Sequence, residues 1–184
     1  MKEYLRKKGL ALRKQMHQDE VNDLSKKIIK QIKKQIDLMP YQVFGFYMPL
    51  GNEVDLRPLM RELIDLRKTI VIPKVHDQYT MDFYPIETIN DVHKGHFGVL
   101  EPNCNRKMPK NKIDIIFIPG IYFSFQNYRL GFGAGYYDRY LKDYYQEKVG
   151  ICYSFQHINN IPSQDYDIPM DFIITENPSH QPHN

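Results

Sequence analysis

Apolar residues recur along this chain with two different periods. In the N-terminal part they predict a helix from Lys2 to about Gln15 and a second helix that begins near Asp19 and ends before Pro40. The second helix has apolar residues at helical spacing, namely Val21, Leu24, Ile28, Ile32 and Ile36. A third helix is predicted from the buried stripe of Leu56, Leu59, Met60, Leu63 and Ile64. A fourth, from Tyr136 to Tyr145, contains neither Gly nor Pro.

Short apolar runs bounded by turn residues predict strands between these helices. The runs are Val43 to Tyr47, Thr69 to Pro73, Met81 to Ile86, Ile113 to Ile118, Lys148 to Tyr153 and Phe172 to Thr175. The segments Gly98 to Pro102 and Ile161 to Asp171 are predicted to be loops. The alternation of strands and helices predicts one α/β domain over residues 1–184, with a largely parallel sheet between helical layers. We expect residues 176–184, which are polar, to form a flexible tail.

Composition limits the class of protein. With 26% charged and 13% aromatic residues, the chain is typical of a folded globular protein, and no apolar run approaches the ~20 residues of a membrane span. The N-terminus lacks the apolar core of a signal peptide, and Cys104 and Cys152 fit neither a disulfide framework nor a metal site. We therefore expect a cytoplasmic protein that does not contact a membrane.

Positive charge is concentrated at the N-terminus. The net charge is +3, but residues 1–40 carry eleven Lys or Arg against five Asp or Glu. A solvated helical face explains these lysines better than a nucleic-acid surface does, so no nucleic-acid partner is expected.

The stretch from Ile113 to Leu141 holds the most informative motif. A buried strand is followed by Arg129, by glycines at 131, 133 and 135, and by the start of a helix. In this layout, backbone N–H groups can bind phosphate at a helix N-terminus, Arg129 can donate from a planar fork, and Asp138 can hold a hard cation. The spacing is GxGxG, which is neither a Walker A motif nor a dinucleotide fingerprint. A tight strand-to-helix turn, with a helix capped by Asp138 and Arg139, is the alternative.

The run from Arg129 to Leu141, RLGFGAGYYDRYL, closely resembles the signature of the 5-formyltetrahydrofolate cyclo-ligase family, also called 5,10-methenyltetrahydrofolate synthetases. The resemblance implies a three-layer αβα fold like that of ribose-phosphate isomerases and coenzyme A transferases. It implies closure of 5-formyltetrahydrofolate to 5,10-methenyltetrahydrofolate with ATP and Mg²⁺, releasing ADP and phosphate. The formyl oxygen is phosphorylated and a folate nitrogen then closes the ring, so no protein nucleophile is required. We expect a monomer with these two small-molecule substrates as its partners.

The same resemblance assigns roles to residues. It implies that Lys2, Arg6 and Arg129 are catalytic and that they also bind ATP. The further ATP-binding residues are Leu130, Gly131, Phe132, Gly133, Ala134, Gly135, Tyr136 and Tyr137. The folate-binding residues are Met48, Glu53, Gly133, Gly135 and Tyr136, and the magnesium ligands are Asp138 and Asp167. Ala134 departs from the pattern, because many relatives have lysine or glycine there.

Residue-level alternatives stay open beside these roles. Lys2 and Arg6 share one helical face, which solvent alone would explain. Glu53 fits a first-turn acid that the helix dipole favours, and Asp167 fits a solvated loop. Two other functions also remain: an ATP-binding relative with a non-folate substrate, and a non-catalytic regulator or nucleic-acid binder.

Overall fold

The structure of this chain, a computed structural model, describes residues 1–76 and 79–177. Its α-helices are α1 (Lys2–Gln15), α2 (Gln18–Gln35), α3 (Arg57–Asp65) and α4 (Tyr136–Leu141). The first six strands are β1 (Val43–Gly45), β2 (Thr69–Val75), β3 (Met81–Ile86), β4 (Val92–Lys94), β5 (Leu100–Pro102) and β6 (Ile115–Pro119). The others are β7 (Tyr122–Ser124), β8 (Arg129–Leu130), β9 (Glu147–Ile151), β10 (His157–Ile158) and β11 (Phe172–Ile174).

Six of these strands form the central sheet, in the order β11-β9-β6-β1-β2-β3. Every neighbouring pair is parallel except β2 and β3, which form an antiparallel edge. Because β1 lies between β6 and β2, the loops that follow these three strands meet at one edge of the sheet. The largely parallel sheet that the sequence predicts is confirmed.

Helices cover both faces of this sheet. Successive side chains of a strand point to opposite faces, and β6 shows the consequence. Ile115 and Phe117 belong to the apolar cluster that holds the buried residues of α2 and α3. Ile116 and Ile118 belong to a second cluster, together with Leu141 of α4. The arrangement is a three-layer αβα fold, as expected.

Helix α1 packs beside this sheet, against the segment that follows β6. A Cβ atom at Gly9 would lie 2.5 Å from Ile121 and 2.7 Å from the ring of Tyr122, so the close approach of α1 depends on the glycine. Leu5 and Leu10 also pack against the apolar cluster that contains Ile121 and Tyr122. This contact places the cationic face of α1 beside the loop edge of the sheet.

Helix α4 is shorter than predicted. It ends at Leu141, although Tyr145 was the expected limit. In a continued helix the Tyr144 N–H would donate to the Tyr140 carbonyl, but the Lys110 ammonium donates to that oxygen at 2.6 Å. The Tyr144 N–H donates instead to the Leu141 carbonyl (3.0 Å), and the Tyr144 hydroxyl donates to the Ile113 carbonyl (3.1 Å). Contacts distant in sequence therefore end the helix.

Two small sheets were not predicted, namely the β4–β5 pair and a three-stranded sheet in which β7 pairs with both β10 and β8. The segment expected to be a loop at Gly98 to Pro102 includes β5, which pairs with β4. Strands β7 and β8 form a hairpin whose turn contains Asn127 with a φ of 64°. These strands are two or three residues long, and β5 contains Glu and Pro, so the apolar alternation that marks a strand is absent. The hairpin places Arg129 beside Phe123.

The predicted tail is described only at its start. Both carboxylate oxygens of Glu176 accept the Ser154 N–H, at 3.1 and 2.9 Å, so this residue is fixed to the domain. Residues 178–184 lie outside the described part of the chain.

Candidate active site

A cavity of about 560 Å³ opens at the edge of the sheet where β1, β2 and β6 end. Residues from α1, from the β1–α3 turn and from the loop between β8 and α4 line it. Residues of β2, β3 and β5 form another part of its wall. All the predicted site residues line this cavity: Lys2, Arg6, Met48, Glu53, the run from Arg129 to Asp138, and Asp167. The structure thus brings together groups that lie as far as 165 residues apart.

The glycine loop connects β8 to α4. Gly133 has a φ of 110° and Gly135, the N-cap of α4, has a φ of 70°, a region that other residues rarely occupy. The Arg6 Nε donates to the Gly131 carbonyl at 2.9 Å, and a Cβ atom at Gly133 would lie 3.3 Å from the Arg6 Cζ. The guanidinium of α1 therefore lies directly against the loop backbone, where side chains at these positions would obstruct it.

Arg129 is more enclosed than Lys2, whose side chain is 26% exposed. The Arg129 side chain is 7% exposed, and its Nη2 donates to the Asp138 carboxylate at 3.2 Å. Its Nη1 donates to the Pro119 carbonyl at 3.4 Å, and its guanidinium lies 5.0 Å from the centre of the Tyr137 ring. The Nε is buried and has no protein partner among the described residues. A buried donor of this kind at a cavity wall is suited to an anionic ligand.

Each of the two predicted magnesium ligands is paired with a cation. Asp138 accepts from Arg129, and Asp167 accepts from the Lys2 ammonium at 3.0 Å and from the Gln164 N–H at 2.9 Å. Within residues 1–76 and 79–177, no three His, Cys, Asp or Glu side chains are grouped so that they could hold a metal ion. Magnesium commonly uses one or two carboxylates together with substrate phosphates. The two carboxylates fit that use, with phosphate oxygens as the further ligands.

Glu53 lies in the turn between β1 and α3 and is 6% exposed. The Arg13 Nη1 donates to its Oε1 at 3.2 Å, and the Leu50 N–H donates to its Oε2 at 3.0 Å. Burial raises the pKa of Glu53, while Arg13 and the Leu50 N–H oppose that rise. The carboxyl group is therefore held in place at the cavity, and Met48, which is also buried, lines the same cavity.

The other residues of the motif differ in exposure. Leu130 is buried, whereas Phe132 is 53% exposed and lies 5.8 Å below the Arg13 guanidinium. The Ala134 carbonyl accepts from Arg139, and the ring of Tyr136 lies 6.2 Å from that of Tyr79. The Tyr137 hydroxyl is buried with no hydrogen-bond partner among the described groups, and burial raises its pKa. It is a second polar atom at the cavity that a ligand would satisfy.

Arg13 is a site residue that the sequence reasoning missed. It follows Lys2 and Arg6 at spacings of eleven and seven residues, which returns it to their helical face. The shared face was a usable signal. The pairing of Arg13 with Glu53 could not be predicted from local sequence, because the two residues lie 40 positions apart in the chain.

A second missed group forms the wall of β2, β3 and β5. Four of its residues are apolar, namely Pro73, Val75, Met81 and Val99, and Glu101 is the buried carboxylate among them. Only the β2–β3 pairing and the unpredicted β5 place these residues together.

Helices in the described part of the chain are all too short or too polar to cross a membrane.

Comparison with known proteins points to one family. The sequence profile described as the 5-formyltetrahydrofolate cyclo-ligase family matches residues 1–176. A protein of Mycoplasma genitalium named 5-formyltetrahydrofolate cyclo-ligase is 32% identical over 177 residues, which is 94% of this chain and 96% of that protein. Its namesake from Mycoplasma pneumoniae is also 32% identical, over 95% of this chain and 98% of its own length.

Two solved structures have the same fold. The NMR structure of Aquifex aeolicus 5,10-methenyltetrahydrofolate synthetase is similar with a TM-score of 0.84 and 36% identity, over 95% of this chain and 89% of that chain. The 5,10-methenyltetrahydrofolate synthetase of Mycoplasma pneumoniae is similar with a TM-score of 0.80 and 31% identity, over 96% of this chain and 99% of that chain.

Proposed function

Because the chain belongs to the 5-formyltetrahydrofolate cyclo-ligase family, we propose that it uses ATP to close 5-formyltetrahydrofolate into 5,10-methenyltetrahydrofolate. The observation that carries the proposal is the composition of the cavity described above. Arg6 and Arg129 lie against a glycine loop in one part of it, and Glu53 and the apolar wall of β2, β3 and β5 line other parts. The cavity therefore offers a phosphate-binding region beside a region suited to a flat ring.

The phosphate-binding region consists of the glycine loop and the three cations. Backbone N–H groups of residues 131–135 and the start of α4 receive the phosphates, and Lys2, Arg6 and Arg129 neutralise charge that spreads during transfer. Lys2 and Arg129 exchange their present carboxylate partners for phosphate oxygens. Arginines in comparable roles accelerate phosphoryl transfer by ~10³-fold or more.

The metal site that the resemblance implies fits this region. Asp138 and Asp167 would hold Mg²⁺ as the cations turn to phosphate. When bound, the ion neutralises phosphate charge and helps to orient the terminal phosphate.

The reaction requires alignment and no protein nucleophile. The formyl oxygen attacks the terminal phosphorus, the bond to the bridging oxygen breaks, and ADP leaves. A neighbouring folate nitrogen then attacks the formyl carbon, loses its proton, and displaces phosphate with the former formyl oxygen. Glu53, held by Arg13, and Met48 position the folate so that both steps have short approach distances.

Three cations of α1 (Lys2, Arg6 and Arg13) turn toward the cavity or the residues around it. Their placement supports small-molecule partners over a nucleic-acid surface for that helix. A cytoplasmic location and a monomeric state remain predictions.

The test is the absorbance of the methenyl product, measured with ATP and magnesium together and with each omitted. The proposal predicts product only with both, and one ADP per product. ATP hydrolysis or ATP binding without methenyl product would favour a non-folate substrate. If the protein neither bound ATP nor formed product, the proposal would be refuted.

A further inference from the structure

Glu101 is a buried acid that the proposed reaction does not use. It is 3% exposed and lines the cavity from β5, on the wall formed with β2 and β3. Its Oε1 accepts the Val75 N–H at 3.3 Å and lies 3.7 Å from the His96 Nδ1. A Cβ atom at Gly95 would lie 2.4 Å from its Oε2, so the carboxyl group rests on the backbone of the strap between β4 and β5.

The carboxyl group has more capacity than its protein partners use. A carboxylate accepts about four hydrogen bonds, yet both contacts above go to Oε1. No Lys or Arg among the described residues pairs with Glu101. A ligand that brings N–H donors to Oε2 would therefore use the accepting capacity that these contacts leave over.

The surroundings of Glu101 favour a flat ring. Pro73, Val75, Met81 and Val99 present apolar surface on the same wall. The order of strands places β1, which precedes Met48 and Glu53, between β6 and β2. Glu101 hydrogen-bonds to the end of β2, so the folate residues lie between it and the glycine loop. A folate whose formyl group faces the phosphates would thus extend its far ring edge toward Glu101.

The hydrogen-bonding pattern distinguishes the two rings that the substrates carry. The 2-amino-4-oxopyrimidine edge of a pterin has two adjacent donors, the ring N–H and the 2-amino group, which match both oxygens of one carboxylate. Adenine presents an amino donor beside a ring-nitrogen acceptor, which would face a carboxylate oxygen unfavourably.

We propose that Glu101 is a specificity-determining residue that binds the aminopyrimidinone edge of the folate and excludes adenine from this end of the cavity. The inference rests on the proposed function, since it assigns one end of the same substrate. It makes the strap between β4 and β5 part of the folate site.

The first test is Glu101→Gln in the methenyl-forming assay. The amide oxygen of glutamine can still accept the Val75 N–H, but its N–H₂ group would face an N–H donor of the pterin ring and could not accept from it. The KM for 5-formyltetrahydrofolate should rise ~10–100-fold, as for loss of a hydrogen bond to a charged group. The KM for ATP should change less than about twofold. Glu87→Gln, at an exposed glutamate outside the cavity, is the matched control and should leave both constants unchanged.

The second test uses the unmodified protein and a 5-formyltetrahydrofolate analogue with hydrogen in place of the 2-amino group. Its kcat/KM should be about tenfold or more below that of the natural substrate, and Glu101→Gln should remove most of this difference. Should the variant fail to fold, equal use of both substrates by the unmodified protein would still overturn the inference. An unchanged folate KM in a folded, active variant would overturn it while leaving the proposed function intact. Failure of the unmodified protein to form product would overturn both.

Discussion

Removing Arg13 should destabilise the protein by an amount that depends on pH. In Arg13→Met, Glu53 loses its ion-pair partner at 3.2 Å and stays 6% exposed. The Gly120 carbonyl, which Arg13 also contacts, keeps the Gln156 amide as a donor at 3.1 Å, so the main effect falls on Glu53. Breaking a buried ion pair in this way typically costs about 3–5 kcal/mol.

Protonation limits that cost. Burial already raises the pKa of Glu53 and Arg13 opposes the rise, so the variant should hold the proton at higher pH. From an ordinary pKa of about 4.3, protonating the carboxylate costs ~3.7 kcal/mol at pH 7 and ~1 kcal/mol at pH 5. The unfolded chain releases this proton as pH rises and the folded variant retains it, so the unfolding free energy must fall with rising pH. The defect should be roughly three to four times larger at pH 7 than at pH 5.

Urea unfolding of both proteins at the two pH values measures this defect. Lys14→Met, the exposed neighbour on the same helix, is the matched control and should change the unfolding free energy by less than about 0.5 kcal/mol. Adding Glu53→Gln to Arg13→Met should abolish the pH dependence, because no titrating group remains in the pair. A defect that is equal at both pH values, or no larger than that of the control, would refute this view of the pair.

Three further predictions concern the cavity. Gly133→Val should weaken ATP binding, measured by calorimetry, at least about tenfold, because valine is strained at a φ of 110° and would contact Arg6. The control Gly51→Val, at another positive φ outside the cavity, should leave ATP binding unchanged. Asp138→Ala or Asp167→Ala should shift the magnesium titration of activity to higher concentration, and unchanged titrations would exclude a shared ion. Glu53→Gln should raise the KM for folate about tenfold or more and that for ATP much less, and the reverse pattern would contradict the assignment.

Periodicity predicted the elements that hold the phosphate-binding region. The buried strand β6, the three glycines and the start of α4 lie within one short stretch of the chain, so local sequence predicts their order, whereas the β7–β8 hairpin between the strand and the glycines was not predicted. The position of α1 was harder to predict from sequence, although the shared face of Lys2, Arg6 and Arg13 indicates which side of the helix faces the cavity. The resemblance supplied the roles of Glu53 and Asp167, which periodicity alone left as a helix-start acid and a loop residue.

The features that escaped prediction depend on contacts between distant segments. The end of α4 is set by Lys110, about thirty positions earlier, and the Arg13–Glu53 pair joins α1 to the β1–α3 turn. The position of Glu101 at the cavity depends on the β4–β5 pair, whose strands have three residues each and no apolar alternation. Such positions follow from the order of the strands, which local patterns do not specify.

Transfer of the formyl oxygen tests the central claim most directly, because only a folate held against the terminal phosphate can donate it. With 5-formyltetrahydrofolate labelled with ¹⁸O in the formyl group, the account predicts one labelled oxygen in each phosphate released, in step with ADP and methenyl product. Label appearing in water, with unlabelled phosphate, would contradict it.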